Sequence, residues 1–451
     1  MRKKALLAVM MAMVLMLSGC ALIQKDEAVD NATEIIRMGD QVITKAEIKS
    51  LADSTLLNNG YSLKDVDPSL YAQAEEHVVE RMKQDLTLTA KAKELGLDQL
   101  TDEELETVNK EVPDQLDYYK TITRLMNQSA LEGKTDEEAE QIISDLMERN
   151  GYTEENIIET EKKQLIDNKL LDYTCKDVTV TDEEIQAEYD SKVASDKETY
   201  AEKAGSWAAA ANNGSTLYYT PAGVRRVKQI LTKFKEEDQK VIDEAKAKAK
   251  DVQSDVNTAQ AKINDAQKVL DTKDITEELK AEAEADLEAA KKELEEANAA
   301  LEAANKAVEE ATAKGFENID EDTDAILASL DAEGADWNAI MDEKNQDSGM
   351  KDNEKGYAVS ADMTSFDAPF VEAAMALAKP GDHSSKVKGQ YGYYIIRYDS
   401  DETEGPIALE AVKETISTSL LNRKKNEVYS DAVTKWVEEA GIKVDMNALK
   451  D

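Results

Sequence analysis

The spacing of apolar residues changes rule several times along this chain, and each change marks a different element. Glu34-Ile35-Ile36-Arg37-Met38-Gly39-Asp40-Gln41-Val42-Ile43 reads as two short strands around a Gly-Asp turn. Thr44 then caps a helix, with Glu47 three residues on as its capping-box partner. From there to about Ser195 the pattern is a series of amphipathic helices. Their starts are visible at Thr101-Asp102-Glu103-Glu104, Thr135-Asp136-Glu137-Glu138, Thr153-Glu154-Glu155 and Thr181-Asp182-Glu183-Glu184. The irregular intervals between these starts argue for repeated capping chemistry and against a solenoid. Ala201 to Pro221 reads as a helix end and linker, and Gly223 to Thr232 alternates apolar and polar residues as a strand does.

Residues 236 to 314 hold no aromatic, Gly or Pro. A heptad register places Ile242, Ala249, Val256, Ile263 and Leu270 at one seam position and Ala245, Val252, Ala259 and Ala266 at the other. After Asp271-Thr272-Lys273-Asp274 a second register sets Leu287, Leu294, Leu301 and Val308 against Ala283, Ala290, Ala297, Ala304 and Ala311. One large and one small seam position fit two closely packed helices, and the short connection makes them antiparallel. At about 1.5 Å per residue each arm reaches roughly 50 Å. Beyond it, Thr323 to Asp331 and Trp337 to Lys344 read as short helices. Tyr357-Ala358-Val359 and Tyr391 to Tyr398 read as strands, with a helix from Ala368 to Ala378 between them. Ala408 to Glu439 reads as one long helix, ended by Gly441.

Composition narrows the function classes. The 451 residues should make two or three folding units, and a hydrophobic fraction of 41% suffices for cores. With 95 Asp+Glu against 55 Lys+Arg, a formal charge of -40 argues against a nucleic-acid partner and against lying flat on an anionic leaflet. The N-terminus offers another route to a membrane. Arg2, Lys3 and Lys4 form a basic head, Ala5 to Leu17 an apolar run too short to span a bilayer, and Leu17-Ser18-Gly19-Cys20 looks like a lipobox. Residues 1–19 are then a lipoprotein signal peptide, Cys20 the lipidated residue and 20–33 a polar tether, which puts the chain on the extracytoplasmic face of a bacterial membrane. Cys175 is left as a buried, inert thiol.

Several chemistries are missing. Two histidines, His77 and His383, and two cysteines exclude most zinc hydrolases and any disulfide framework. His77 reads as a surface or packed helical residue and His383 as an exposed turn residue. Gly133-Lys134-Thr135 lacks the upstream glycine of a phosphate loop. Asp320-x-Asp322-x-Asp324 has Ala325 where a calcium loop turns on Gly, and an acidic helix N-terminus explains it better. No metal and no cofactor is expected.

Wording further along carries a resemblance. Asp347-Ser348-Gly349 with Lys355-Gly356-Tyr357, Phe366-Asp367-Ala368-Pro369-Phe370-Val371-Glu372-Ala373-Ala374, Leu377-Ala378-Lys379-Pro380-Gly381-Asp382-His383-Ser384 and Gln390-Tyr391-Gly392-Tyr393-Tyr394-Ile395-Ile396 resemble, in this order, segments of parvulin-type peptidyl-prolyl isomerase domains. Met38 to Thr44, Val178 to Ile185 with Tyr189, and Leu420 to Asn426 with Trp436 resemble the flanking segments of PrsA/SurA-type foldases. Two departures stand out. The family's paired histidines are Gln229 and Tyr394 here, and Phe366 takes the place of a pocket methionine.

The resemblance implies an α+β architecture. A helical chaperone domain (34–205, completed by 401–451) would carry a parvulin-like α/β domain (224–400) interrupted by the antiparallel coiled-coil hairpin 236–314. It implies a foldase that holds unfolded or newly exported polypeptides and isomerises X-Pro bonds. Gln229, Asp347 and Tyr394 would stand at the catalytic positions, with Phe366, Phe370 and Tyr391 holding the proline ring. Loss of both histidines leaves open a catalytically inactive relative that only binds clients. The arm could reach clients or a second subunit, which leaves a homodimer open. A solute-binding lipoprotein would need repeated βα units, which the pattern lacks.

Overall fold

The computed structural model describes residues 27–449 except 352. In chain order its elements are α1 (Glu27–Asn31), β1 (Glu34–Met38), β2 (Gln41–Thr44), α2 (Lys45–Asn58), α3 (Pro68–Glu94), α4 (Asp102–Met126), α5 (Gln128–Leu131), α6 (Asp136–Arg149), α7 (Glu154–Thr174), α8 (Asp182–Tyr200), α9 (Ala204–Asn212), β3 (Tyr219–Thr220), β4 (Arg225–Lys233), α10 (Glu236–Leu270), α11 (Glu277–Leu330), α12 (Trp337–Lys344), β5 (Tyr357–Val359), α13 (Ala368–Ala376), β6 (Val387–Gly389), β7 (Gly392–Asp401), β8 (Gly405–Pro406), α14 (Leu409–Glu439) and β9 (Lys443–Val444). The protein is mostly helical with some sheet. It divides into two compact units, one from the described residues of 1–180 and 419–451, the other from 181–418. The stretches 181–205 and 401–418, assigned above to the helical domain, therefore lie in the second unit.

In the first unit, β1 is paired on both edges in the order β2-β1-β9, all antiparallel. Ile35 and Ile36 pack there with Ile48, Val78, Val79 and Leu449. The expected capping box forms at Thr44, and the helix starts read at Thr101 and Thr135 prove to be capping boxes as well. Thr153 also caps its helix, accepting from the Asn156 backbone. Part of the expected tether is docked rather than free: residues 27–31 form α1, and Asp30 lies 3.0 Å from Nζ of the fully buried Lys45. The signal peptide and Cys20 lie outside the described residues. Cys175 is buried, its thiol donating to the Lys425 carbonyl at 3.3 Å. Among the described residues no helix is long and apolar enough to cross a membrane.

The second unit is organised by a four-stranded antiparallel sheet, β5-β4-β7-β6. Alternation along β4 and β7 gives it two apolar faces. Val227, Leu231, Tyr394 and Ile396 pack with Trp207, Val359, Phe370 and Ala374. Ile230 and Ile395 pack with Ile326, Leu330 and Trp337. Trp207 corrects the linker reading of 201–221. It lies in α9, it is buried, and its indole N–H donates to the Tyr219 carbonyl at 2.6 Å, while Asn212 bridges both backbone groups of Ala358. The Asn-Gly turn that suggested a linker is local, and the large ring two turns earlier ties the segment into the core.

Between β4 and β5 the chain leaves as an antiparallel hairpin of α10 and α11, with Lys262 2.6 Å from Glu293 across it. Ala259, Ala266, Ala283, Ala290 and Ala304 are buried in its seam, as the small heptad positions require. Where the arm was expected to stop near 314, α11 runs unbroken to Leu330. Gly315 permits this, since a Cβ there would fall under 3.0 Å from the Phe234 ring. The root is then stapled by Phe234, Ile242, Phe316, Ile319 and Tyr393. The Asp320–Asp324 cluster is accordingly mid-helix, not a helix start, and Asp320 and Asp324 lie 2.7 and 2.5 Å from Nζ of Lys386.

Candidate functional site

Strand register puts residue 229 on the same face of β4 as Val227 and Leu231, and Leu231 lies opposite Tyr394 of β7. Gln229 and Tyr394 are thereby diagonal neighbours on one sheet face. The loop after α12 brings Asp347 beneath them, and α13 with the β6–β7 turn closes the other side. The result is a cavity of about 280 Å³ lined by Gln229, Leu231, Asp347, Tyr357, Ser365, Phe366, Asp367, Phe370, Gln390, Tyr391 and Tyr394. All six residues singled out from the sequence for catalysis or proline binding meet there. A larger cleft of about 880 Å³ neighbours it through Tyr357. Its Arg226 guanidinium is already held by Glu402 at 2.5 Å and the Gly356 carbonyl at 3.2 Å.

The floor is aromatic. Tyr357, Phe366, Phe370 and Tyr394 form an edge-to-face ladder with successive centroids 5.3, 5.5 and 5.4 Å apart. Tyr391 is half-exposed at the rim. Two carboxylates flank this ladder. Asp347 Oδ2 accepts from Gln229 Nε2 at 2.7 Å and from the Tyr357 hydroxyl at 2.9 Å. Asp367 Oδ2 accepts from the Tyr394 hydroxyl at 3.1 Å and from the Gln390 backbone N–H at 2.8 Å. Burial first, and the adjacent carboxylate second, hold both phenols far above their ordinary value of 10.0, so both stay neutral donors.

Tyr357 and Asp367 were not read as site residues from the sequence. Asp367 stands at the N-cap of α13, where its residue type predicts a helix cap, yet its side chain makes no capping bond and is used in the cavity instead. Tyr357 read only as strand, and nothing local foretold that its hydroxyl would reach back to Asp347. Small residues keep the walls in place. A Cβ on Gly389 would penetrate the Tyr394 ring, and one on Gly349 would meet the Tyr357 hydroxyl. Neither histidine is here. His77 is exposed on α3, and His383 is half-buried rather than open, with Nε2 3.4 Å from Asp331 and its ring beside Trp337. Among the described residues no cluster of His, Cys, Asp and Glu could hold a metal.

No family model matches the chain. Curated proteins do. A Foldase protein PrsA of Clostridium kluyveri is 36% identical over 111 residues, 24% of this chain and 32% of the relative. Another, of Clostridium botulinum, is 33% identical over 127 residues, 28% of this chain and 37% of the relative. Over that stretch the chain is similar to the PrsA foldases. It spans about a third of the length of these relatives. The crystal structure of foldase protein PrsA from Streptococcus pneumoniae aligns over 93% of this chain and 97% of its own, at 15% identity and a TM-score of 0.24, and so adds nothing to the sequence similarity.

Proposed function

We propose that this chain is an extracytoplasmic, lipid-anchored folding assistant whose second unit is a parvulin-like domain acting on X-Pro peptide bonds of exported polypeptides. The observation that carries the reading is the aromatic cavity flanked by the Gln229–Asp347–Tyr357 and Tyr394–Asp367 groups. Rotation about an X-Pro bond needs no nucleophile, because its barrier of about 20 kcal/mol is lost amide resonance. Whatever binds the twisted amide better than the planar one accelerates it.

This cavity has two means of doing so. Phe366, Phe370 and Tyr394 offer edges and faces to the proline ring, fixing one side of the bond. The donors that serve Asp347 and Asp367 are already engaged. A carbonyl entering beside Asp347 therefore gains little hydrogen bonding in its planar form, where its oxygen carries the most negative charge. The neighbouring carboxylate disfavours that charge further. The helical first unit and the arm would hold the rest of the client.

The test is exchange spectroscopy on an Ala-Ala-Pro-Phe peptide beside an aggregation assay with an unfolded client. Catalysed exchange that Phe370→Ala abolishes supports isomerisation. A second reading, client binding without turnover, is favoured by the absence of both histidines. It would be established by unaccelerated exchange with aggregation suppression intact. Anchoring rests on Cys20, and Cys20→Ala should release the protein from the membrane fraction.

A further inference from the structure

Every hydrogen bond just described for this cavity runs towards a carboxylate. Gln229 Nε2 and the Tyr357 hydroxyl serve Asp347; the Tyr394 hydroxyl and the Gln390 N–H serve Asp367. The acceptors are in surplus. A carboxylate can only accept, so the Gln229 amide must turn its NH₂ to Asp347, which leaves Oε1 facing elsewhere. Gln229 is 7% exposed, and its Oε1 is buried without a hydrogen-bond partner among the described residues. An unmatched buried acceptor is uncommon, and a ligand donor that reached it would relieve it. The Asp367 bonds just named both use Oδ2, leaving Oδ1 outside them. The lining includes two aspartates and neither lysine nor arginine.

We propose that the cavity selects prolines flanked by a cationic residue, that is, a lysine or arginine directly before or after the proline. This rests on the proline-binding reading above and names its substrate class. A prolyl amide carries no N–H, so the donors that the cavity lacks must come from the neighbouring residue. An ammonium or guanidinium supplies several donors together with the charge that two aspartates favour, in a partly water-excluded site where such bonds are strongest. An acidic neighbour would meet two like charges and an acceptor. The exposed side-chain donors at the rim, on Ser365, Gln390 and Tyr391, do not alter this balance, because they face water already.

The full chain at formal charge -40 attracts any basic peptide, so the experiment must separate the cavity from the general field. Dissociation constants are measured by titration calorimetry at 0.15 M salt for Ala-Lys-Pro-Phe, Ala-Pro-Lys-Phe, Ala-Ala-Pro-Phe and Ala-Glu-Pro-Phe, with Ala-Lys-Ala-Phe as the proline-free control. The lysine–proline peptides should bind about five- to tenfold tighter than Ala-Ala-Pro-Phe, and Ala-Glu-Pro-Phe weaker still. Asp367→Asn should cut the lysine preference several-fold and Asp347→Asn/Asp367→Asn erase it, whereas Glu302→Gln on the arm should leave it intact. Equal affinity for Lys-Pro and Ala-Pro peptides overturns the proposal while leaving the proline reading standing. So does a preference that survives both substitutions, or that Glu302→Gln reduces equally. If Ala-Lys-Ala-Phe binds as tightly as Ala-Lys-Pro-Phe, the proline reading itself falls. Should the double variant not fold, as near-UV circular dichroism would show, Asp367→Asn alone decides.

Discussion

Gly389→Ala is the most demanding test of the cavity's geometry. The ideal Cβ at this position would lie under 3.0 Å from three atoms of the Tyr394 ring, a distance that real Cβ atoms do not reach. The ring has little freedom to yield. It is 5% exposed, edge-to-face with Phe370, and bonded through its hydroxyl to Asp367. Overpacking of this kind costs about 1–3 kcal/mol. If the ring swings away, a hydrogen bond to a carboxylate goes too, a further loss of about 1.5–3 kcal/mol. The substitution should therefore remove about 2.5–6 kcal/mol from a unit whose whole stability is of the order of 5–15 kcal/mol. Native-state hydrogen exchange of the β4–β7 ladder reads the opening of this unit separately from the other. Tyr394→Ala, itself worth about 3–5 kcal/mol, supplies the control. With the ring gone the added methyl has space, so Gly389→Ala should become nearly silent, with a coupling of at least about 1.5 kcal/mol. A penalty unchanged within about 0.5 kcal/mol between the two backgrounds would show that the methyl acts on the backbone, and the packing argument would fall.

Gln229→Met removes a bond to Asp347, worth about 1.5–3 kcal/mol, and also the orphaned Oε1, whose burial costs about 1–3, so unfolding should show a change under about 1 kcal/mol. Tyr357→Phe removes a donor without such relief and should be the more destabilising of the two; the reverse order would place Oε1 in water. Asp320 is held below its ordinary 3.8 by its bonds to Lys386 and Tyr393. Its ionised form thus supports the arm root above pH 3.8, and that support disappears as pH falls through the lowered value. Asp320→Asn should flatten this acid limb of stability, followed by hydrogen exchange in β6. Excising 246–308 above the Phe316 root, with a short Gly linker, should leave β4–β7 protection unchanged and weaken suppression of client aggregation. Unchanged suppression would take the arm out of client handling.

Elements governed by local chemistry were legible in the sequence. Thr44, Thr101 and Thr135 announce their helices because a cap and its partner lie within four residues. The seam alanines announce the hairpin because its period repeats for many turns. Legibility fails where a distant residue decides. Trp207 turns an apparent linker into core, and Phe234 packs on Gly315, a buried helix residue just past the end read for the arm. The same holds in the cavity. Gln229, Asp347 and Tyr394 were reached through resemblance, whereas Tyr357 and Asp367 gain their roles only when the chain closes over itself. A periodic pattern can be read in isolation, but a pairing made by loop closure cannot, whether its partner is 10 residues away, as for Tyr357 and Asp347, or 118, as for Gln229 and Asp347.

The stapled arm also bears on how the sheet assembles. β4 must find β5 and β7 across the whole insertion, and a flexible loop of that length would slow closure, each doubling costing about 0.6 kcal/mol in chain entropy. The hairpin removes most of that distance in advance, because its helices zip up from near neighbours. Once they have, Phe234 and Phe316 stand with ring centroids 4.8 Å apart. To the folding sheet, roughly 80 residues of arm then count as a short turn.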